Sequence, residues 1–354
     1  MGPYSIIFVN SNNIDEYQDC ILQLWRENLR NGSIERFNWL YKMNPVGSVL
    51  TWLARDDSSG AIVGCSSVYP REVIINGKNF IFGVAIDFAV NRNYRVFGPA
   101  LQIQKKIISC SKNCNLDFLL AWPNASSSGL FLRAGYSKLS EVYTFVKLLR
   151  SVKKIKKYFN FFIVTKSLSN IIDFYFTIKD NIIRLVKPHN LQSYNITKSE
   201  RELDTLWELF CKQKLCSANK KSSFLQWRYI HAMSDRYTKF CLVDLLDHSI
   251  KGCLIYSING KSAIIWDIFC LSDSYYRYLV TDFSFYLRKR SIHDISLSMV
   301  ANSLFKKLLL DLDFFMKKAD RPCFIFSHNS ELLVELRDAI KESKLGLMDG
   351  DLDL

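Results

Sequence analysis

The sequence predicts a mixed α/β fold built twice over, each copy a largely antiparallel sheet flanked by helices. Three observations carry that expectation. Strand-like and helical runs alternate along the chain, an Asn-Gly pair interrupts the longest apolar run, and a set of short motifs returns in the same order about 180 residues later. With 354 residues, 49% hydrophobic and 14% aromatic, the chain can bury a sizeable core, and its length favours about two domains.

The elements follow in order. A first helix is expected from Asn13, with Glu16 three residues on in capping-box spacing and Ile14, Tyr17, Ile21, Leu24, Trp25 and Leu29 along one face. Residues 49–55, 61–69 and 72–90 read as strands, and Asn76-Gly77 in the last is a two-residue hairpin signal. A helix opens near RVFGPA, Arg95 to Ala100. Its apolar face carries Phe97, Ala100, Leu101, Ile107 and Ile108, interrupted by Gln104, while Gln102, Lys105 and Lys106 lie opposite. LDFLLAW, 116–122, reads as a buried strand, and 126–134 as a helix closed by Gly135, a good residue just past a helix end.

The repeat is visible by subtraction. Trp39 and Tyr41 return 188 residues on as Trp227 and Tyr229, and Gly64-Cys65 returns at the same offset as Gly252-Cys253. INGK at 75–78 returns at 258–261, Asp87 returns as Asp267, and Asn124 with Gly135-Tyr136 returns as Asn302 with Asp313-Phe314. The offset falls stepwise, as small deletions in one copy would make it. Two domains are therefore expected, 1–150 and 191–354, joined by a basic, aromatic linker with a helix over 151–190. The stretch 149–166 is expected to be a solvated linker with its aromatics packed between the domains, the alternative being a contact with an anionic surface or nucleic acid. Its basic tract is short and suggests no long amphipathic helix.

Ten cysteines are scattered without metal-ligand spacing, so no metal is expected. No run approaches a membrane span, the start lacks a secretory leader, and Ile6 breaks a myristoylation pattern, so a cytoplasmic protein without stable membrane insertion is expected. The net charge of +13 fits a polyanionic partner.

The strand ending Asp87-Phe88-Ala89-Val90, followed by Arg95-x-x-Gly98-x-Ala100 opening an amphipathic helix, resembles the acyl-coenzyme A motif of the GNAT acyltransferase superfamily. That motif is Arg or Gln-x-x-Gly-x-Gly or Ala. PNASSSGLFLRAGY, with Asn124 and then Gly135-Tyr136, resembles the superfamily's second characteristic segment. The resemblance covers residues 5–148, with a degenerate version over 195–354, so the chain looks like a tandem GNAT protein. Each half would then be a mixed, mostly antiparallel, twisted sheet flanked by helices. The resemblance implies acyl-coenzyme A as co-substrate, contacted by Phe88, Ala89, Val90, Arg95, Val96, Phe97, Gly98, Pro99, Ala100, Asn124, Ser127 and Phe131.

The physical chemistry is compatible. A helix N-terminus offers unpaired N–H groups and partial positive charge to a pyrophosphate, Gly98 removes an obstructing side chain, Pro99 costs little in a first turn, and Arg95 adds charge. The second copy has no glycine there, so only the first half is expected to bind the cofactor. Asp87 is either the base, an amine-orienting group, or a structural carboxylate, and the Val90 backbone is the expected oxyanion donor. Asn124 would bond the pantetheine or cap its helix. Where many GNAT enzymes carry a tyrosine able to protonate the leaving thiolate, this chain has Phe131, with Tyr136 and Tyr143 as unplaced substitutes.

The acceptor wall is expected at Arg36, Tyr41, Asn44, Trp227, Arg228 and Tyr229, with Trp39 and Pro45 nearby and Asp351 of the acidic tail. The alternative is that the W-x-Y residues are repeat-core packing. The resemblance is closest to tandem proteins of bacterial surface-polysaccharide and antibiotic pathways. It implies transfer of an acetyl or short hydroxyacyl group, such as 3-hydroxybutyryl, to the amine of a dTDP- or UDP-linked amino deoxysugar. Small Ala85 and Ala89 hint at room beyond acetyl. A peptide, polyamine or aminoglycoside acceptor, and a non-catalytic coenzyme A or anion-binding module, are the other readings. No nucleic acid partner is expected, and the oligomeric state is left open.

Overall fold

The structure is a computed structural model and describes residues 3–29, 32–95, 98–156, 162–197, 199–213, 216–231, 236–300, 303–341 and 345–351. The first half runs β1 (Tyr4–Val9), α1 (Gln18–Asn28), α2 (Ile34–Phe37), β2 (Leu50–Asp56), β3 (Ile62–Ile75), β4 (Lys78–Val90), α3 (Pro99–Ser111), β5 (Phe118–Ala121), α4 (Ala125–Ala134) and β6 (Ser137–Leu148). Helices α5 (Val152–Ile155) and α6 (Phe162–Leu185) follow. The second half runs β7 (Leu191–Ile196), α7 (Glu200–Gln213), β8 (Cys216–Ala218), α8 (Ser222–Leu225), β9 (Thr238–Asp244), β10 (Ile250–Asn259), β11 (Ser262–Cys270), α9 (Asp273–Lys289), β12 (Asp294–Val300), α10 (Ser303–Asp311) and β13 (Phe314–Phe326). Helix α11 (Ser330–Lys341) and β14 (Leu345–Gly346) follow.

The strands form one mixed sheet in the order β1-β2-β3-β4-β5-β13-β6-β12-β11-β10-β9-β7, with β8 on β3 and β14 on β8. Within each half, neighbours pair antiparallel until a crossover helix returns the chain parallel: α3 between β4 and β5, α9 between β11 and β12. The centre of the sheet breaks the simple repeat. The last strand of the first half, β6, lies against β12 of the second, Val142 opposite Val300, while β13 lies against β5, Phe324 opposite Ala121. Each half thus lends its final strand to the other.

Alternating side chains send apolar residues to both faces. On one face α3 and α4 cover Trp52, Val68, Leu119 and Phe324, and α9 and α10 cover Leu254, Ile265, Leu297 and Phe314. The other face carries a single core shared by both halves, including Trp25, Trp207 and Leu336. Trp39 and Trp227 meet there. Each indole N–H donates to the other's carbonyl, at 2.6 and 3.0 Å, and their rings lie 5.4 Å apart. A residue touches its own counterpart in this way where a two-fold relation passes between the copies.

Three local readings are corrected. Ile14–Tyr17 is a 3-10 turn and α1 starts at Gln18; the Asn13 carboxamide accepts from Asn10 N–H at 2.9 Å and caps nothing. The first INGK turns on Asn76 and Gly77, φ 47° and 77°, but the second turns on Gly260-Lys261, because β10 runs through Asn259. The linker contains the 24-residue helix α6, whose β-branched and aromatic residues masked its helical period in the sequence. Asn302 lies outside the described residues.

Candidate functional site

Strands β4 and β5 pair only from Phe82 opposite Phe118 to Val84 opposite Leu120, yet β4 continues to Val90. The parting has a local cause. The register of β3 on β4 slips between Cys65 and Ser67, and Asp87 takes the bulge at φ 50°, a left-handed conformation that aspartate tolerates better than most residues. The wedge between the two strands is a cleft of about 760 Å³.

Arg36, Asp87, Phe88, Ala89, Val90, Arg95, Ala100, Asn124, Ser127 and Phe131 all line it. Ala85, Asn28, Leu29, Trp122, Pro123, Leu130 and Arg133 line it too. Apart from Ala85, sequence reasoning missed these. Arg133 faces the cleft because it stands on α4 two turns beyond Ser126 and Ser127, a helical spacing that could have suggested it.

Above the wedge stands the N-terminus of α3. Gly98 precedes Pro99 with φ 91°, and no side chain caps the helix. A Cβ built on Gly98 would meet nothing within 4 Å, so conformation and open space, not packing, call for glycine. The Arg95 guanidinium donates to Val90 O and to Asn28 Oδ1, both at 3.1 Å, which fixes it beside the end of β4. Val96 and Phe97 lie outside the described residues, and Pro99 is buried. The Asn124 carboxamide caps α4, accepting from Ser127 N–H at 3.1 Å. Phe131 is buried with its ring edge-on to Phe88, the centroids 5.8 Å apart.

Asp87 has both oxygens occupied. Arg36 Nη2 lies 2.8 Å from Oδ1, and the Tyr41 hydroxyl lies 3.1 Å from Oδ2. The carboxylate therefore presents itself to the cleft through Arg36, whose side chain also stands over the Trp25 ring at 4.9 Å. Burial, and then the nearby Asp87 charge, push the Tyr41 phenol well above its ordinary range, so it stays a neutral donor. Tyr136 and Tyr143 do not line the cleft. Burial pushes the Tyr136 phenol up, and its ring packs against Phe131 at 5.1 Å.

The expected acceptor wall is corrected. Tyr41, Asn44, Trp227, Arg228, Tyr229 and Asp351 are all buried, as is Trp39, and none of them lines the cleft. Asn44 donates to Pro70 O at 3.0 Å, and Arg228 lies 5.8 Å from the Trp39 ring centre. The W-x-Y stretches form matching π-helical turns, Asn38–Lys42 and Gln226–His231, that pack the halves together.

The counterpart wedge in the second half is closed. Pairing of β11 with β12 ends at Ile265 opposite Leu297, and residues 347–351 fill the space beyond. Val300 N–H donates to Leu347 O at 3.0 Å, and Met348 bridges Met299. A Cβ on Gly350 would collide with the Tyr229 hydroxyl and the Asp267 carboxylate. Lys220 Nζ donates to Asp267 and Asp351 at 2.6 Å each, Arg71 of β3 lies 2.9 Å from Asp351, and Tyr229 bonds Asp267. At Asp351 burial is overridden by Lys220 and Arg71, which hold its carboxyl down, whereas at Asp267 burial prevails and pushes it up. The N-terminus of α9 is occupied as well. Ser272 accepts from Tyr275 N–H at 3.2 Å and Asp273 sits in the first turn.

This architecture is the GNAT fold, carried by a chain whose sequence matches no family model and no curated protein. Three of the solved structures it resembles illustrate the likeness. A probable N-acyltransferase from Enterococcus faecalis superposes with a TM-score of 0.65 at 12% identity, over 92% of this chain and 73% of that one. A GCN5-related N-acetyltransferase from Anabaena variabilis gives 0.61 at 11% identity, with the same coverage. Saccharomyces cerevisiae N-myristoyltransferase with bound myristoyl-CoA gives 0.54 at 13% identity, over 93% of this chain and 80% of that one. Among the described residues no group of three His, Cys, Asp or Glu side chains is placed to hold a metal ion.

Proposed function

We propose that the protein is an acyl-coenzyme A-dependent N-acyltransferase whose cofactor lies in the open wedge of the first half. The observation that carries the reading is the conjunction of a splayed β4 with an uncapped helix N-terminus beginning at Gly98. Unpaired N–H groups and the helix dipole suit a pyrophosphate, and the space over Gly98 lets it approach. Arg95 at one margin and Arg133 on α4 suit the remaining phosphate charge. The wedge between β4 and β5 suits the pantetheine arm, with Ala85 and Ala89 leaving room for the acyl group.

In the reaction the acceptor attacks the thioester carbon as the neutral amine, and the nitrogen passes its surplus proton to solvent as the tetrahedral intermediate collapses. The C–S bond breaks in that collapse, and the thiolate leaves with the electron pair. The β4 edge from Phe88 to Val90 would donate to the developing oxyanion, and Arg36, held by Asp87, would orient the acceptor. A thiolate is a good enough leaving group at its ordinary pKa of about 8.5 to need no dedicated acid, which accommodates Phe131. For the acceptor, the net charge of +13 favours a polyanionic molecule, in keeping with a nucleotide-linked amino sugar. A peptide, polyamine or aminoglycoside amine is the second reading.

The test is a thiol-release screen with acetyl- and 3-hydroxybutyryl-coenzyme A against dTDP- and UDP-amino sugars, amino-terminal peptides and polyamines. Turnover with an amino sugar nucleotide supports the full reading, and turnover with a peptide or polyamine replaces the acceptor. Calorimetric binding of coenzyme A without turnover reduces the protein to a binding module, and no binding at all overturns the cofactor assignment.

A further inference from the structure

Helix α6 presents an apolar stripe to the outside. At 100° per residue, Ile171, Phe174, Tyr175, Ile178, Ile182 and Leu185 fall within one narrow arc, and they are 41–82% exposed. Soluble monomers rarely leave so continuous an apolar surface uncovered, and among the described residues nothing covers it.

The helix cannot roll the stripe inward, because its opposite face is pinned. Asp180 is buried between Lys147, at 2.7 Å, and Arg288, at 2.6 Å, and Phe176 is buried beside it. Asp173 accepts from the Ser151 N–H at 2.8 Å. The stripe is therefore a fixed outer surface about 20 Å long.

The charge around it is one-sided. Residues 150–187 hold nine Lys or Arg against two Asp; Lys179, Arg184 and Lys187 pair with Asp313 and Asp282, so the basic excess gathers in the six cations of residues 150–166, at the N-terminal end of the stripe. Both aspartates are engaged inside the fold, whereas Lys154 and Lys156 are exposed just ahead of the helix. Lys154 also borders a 600 Å³ cavity lined by Leu148, Ile155, Ile172 and Phe176 at the same end of α6.

We propose that α6 is an interfacial docking helix that lays this stripe into the surface of an anionic lipid bilayer while the flanking lysines meet the headgroups. A fixed apolar arc with a basic flank has the chemistry such surfaces bind. A second copy of the chain is the less suitable occupant, since a two-fold contact through α6 would bring two basic tracts of residues 150–166 toward one another. No helix among the described residues is long and apolar enough to cross a membrane, so the contact is peripheral.

The test is co-sedimentation of the full chain with phosphatidylcholine vesicles, with and without phosphatidylglycerol, at low and high salt. Binding to the anionic vesicles should exceed binding to the neutral ones at least about tenfold and fall with salt. Phe174→Gln with Ile178→Gln, both exposed positions, should abolish it, and Lys154→Glu with Lys156→Glu should weaken it at least about tenfold. Two results overturn the proposal: equal or absent binding to both vesicle types, or a lipid-free dimer that the Phe174→Gln/Ile178→Gln variant converts to a monomer.

Discussion

In the first half β4 and β5 part after Val84 and leave a cleft of about 760 Å³, while in the second half β11 and β12 part after Ile265 and residues 347–351 close the gap. The helix ends above the two wedges differ in the same sense. Gly98 leaves the N–H groups of α3 without a side-chain cap, whereas Ser272 and Asp273 supply α9 with a hydroxyl acceptor and a negative charge. One helix end is thus left open, as the proposed anionic guest requires, and the other is satisfied by its own chain. The backbone geometry is shared, and a few residues decide whether it becomes a site or a piece of core.

The contrast can be broken first at its filled end. Asp351→Ala removes the carboxylate that Arg71 and Lys220 share and leaves two buried cations with Asp267 alone, so unfolding stability should drop by about 3–5 kcal/mol in a urea titration. If coenzyme A affinity falls in parallel, the two wedges are not independent. Gly98→Trp attacks the open end. A tryptophan at φ 91° is strained and projects into the space proposed for phosphate, so calorimetric affinity for coenzyme A should fall at least about a hundredfold, roughly 2.7 kcal/mol. Unchanged binding would return Gly98 to the role of an ordinary turn residue.

Arg95→Ala should lose about tenfold in coenzyme A affinity, with more of the loss at low salt than at high, since the contact is exposed and charge-assisted. Ser272→Ala is the smallest change. It should cost about 1 kcal/mol of stability through the lost cap, measured by thermal unfolding, and leave coenzyme A binding at its original value. A measurable gain of anion binding at α9 would show that the cap alone separates the two helix ends.

What could be read from the sequence followed the range of the interactions. The Asn76-Gly77 turn and Gly98 were legible because their φ values are imposed by neighbours in the chain. The bulge at Asp87 was not, since it depends on a slip in pairing with β3 that no local pattern records. Trp39, Trp227 and Tyr229 have the aromatic faces that an acceptor wall would use, but their recurrence in both copies points to packing, and Trp39 and Trp227 do meet each other between the two halves. The stripe on α6 was hidden by strand-like residue types such as Ile171, Ile172, Phe174 and Tyr175. The closing segment was the least legible, because Gly350 and Asp351 take their meaning from Tyr229, Asp267 and Arg71, far away in the chain.

The loan of β6 to the second half and of β13 to the first makes the sheet one thermodynamic object. Neither half can melt without stripping an internal strand from the other, so heating should give a single transition. A ligand held only in the first wedge then stabilises both halves by the same linkage free energy, and near-ultraviolet signals from Trp207 and Trp266 in the second half would rise in melting temperature with it. The half with the closed wedge becomes a spectroscopic reporter of what the open one has bound.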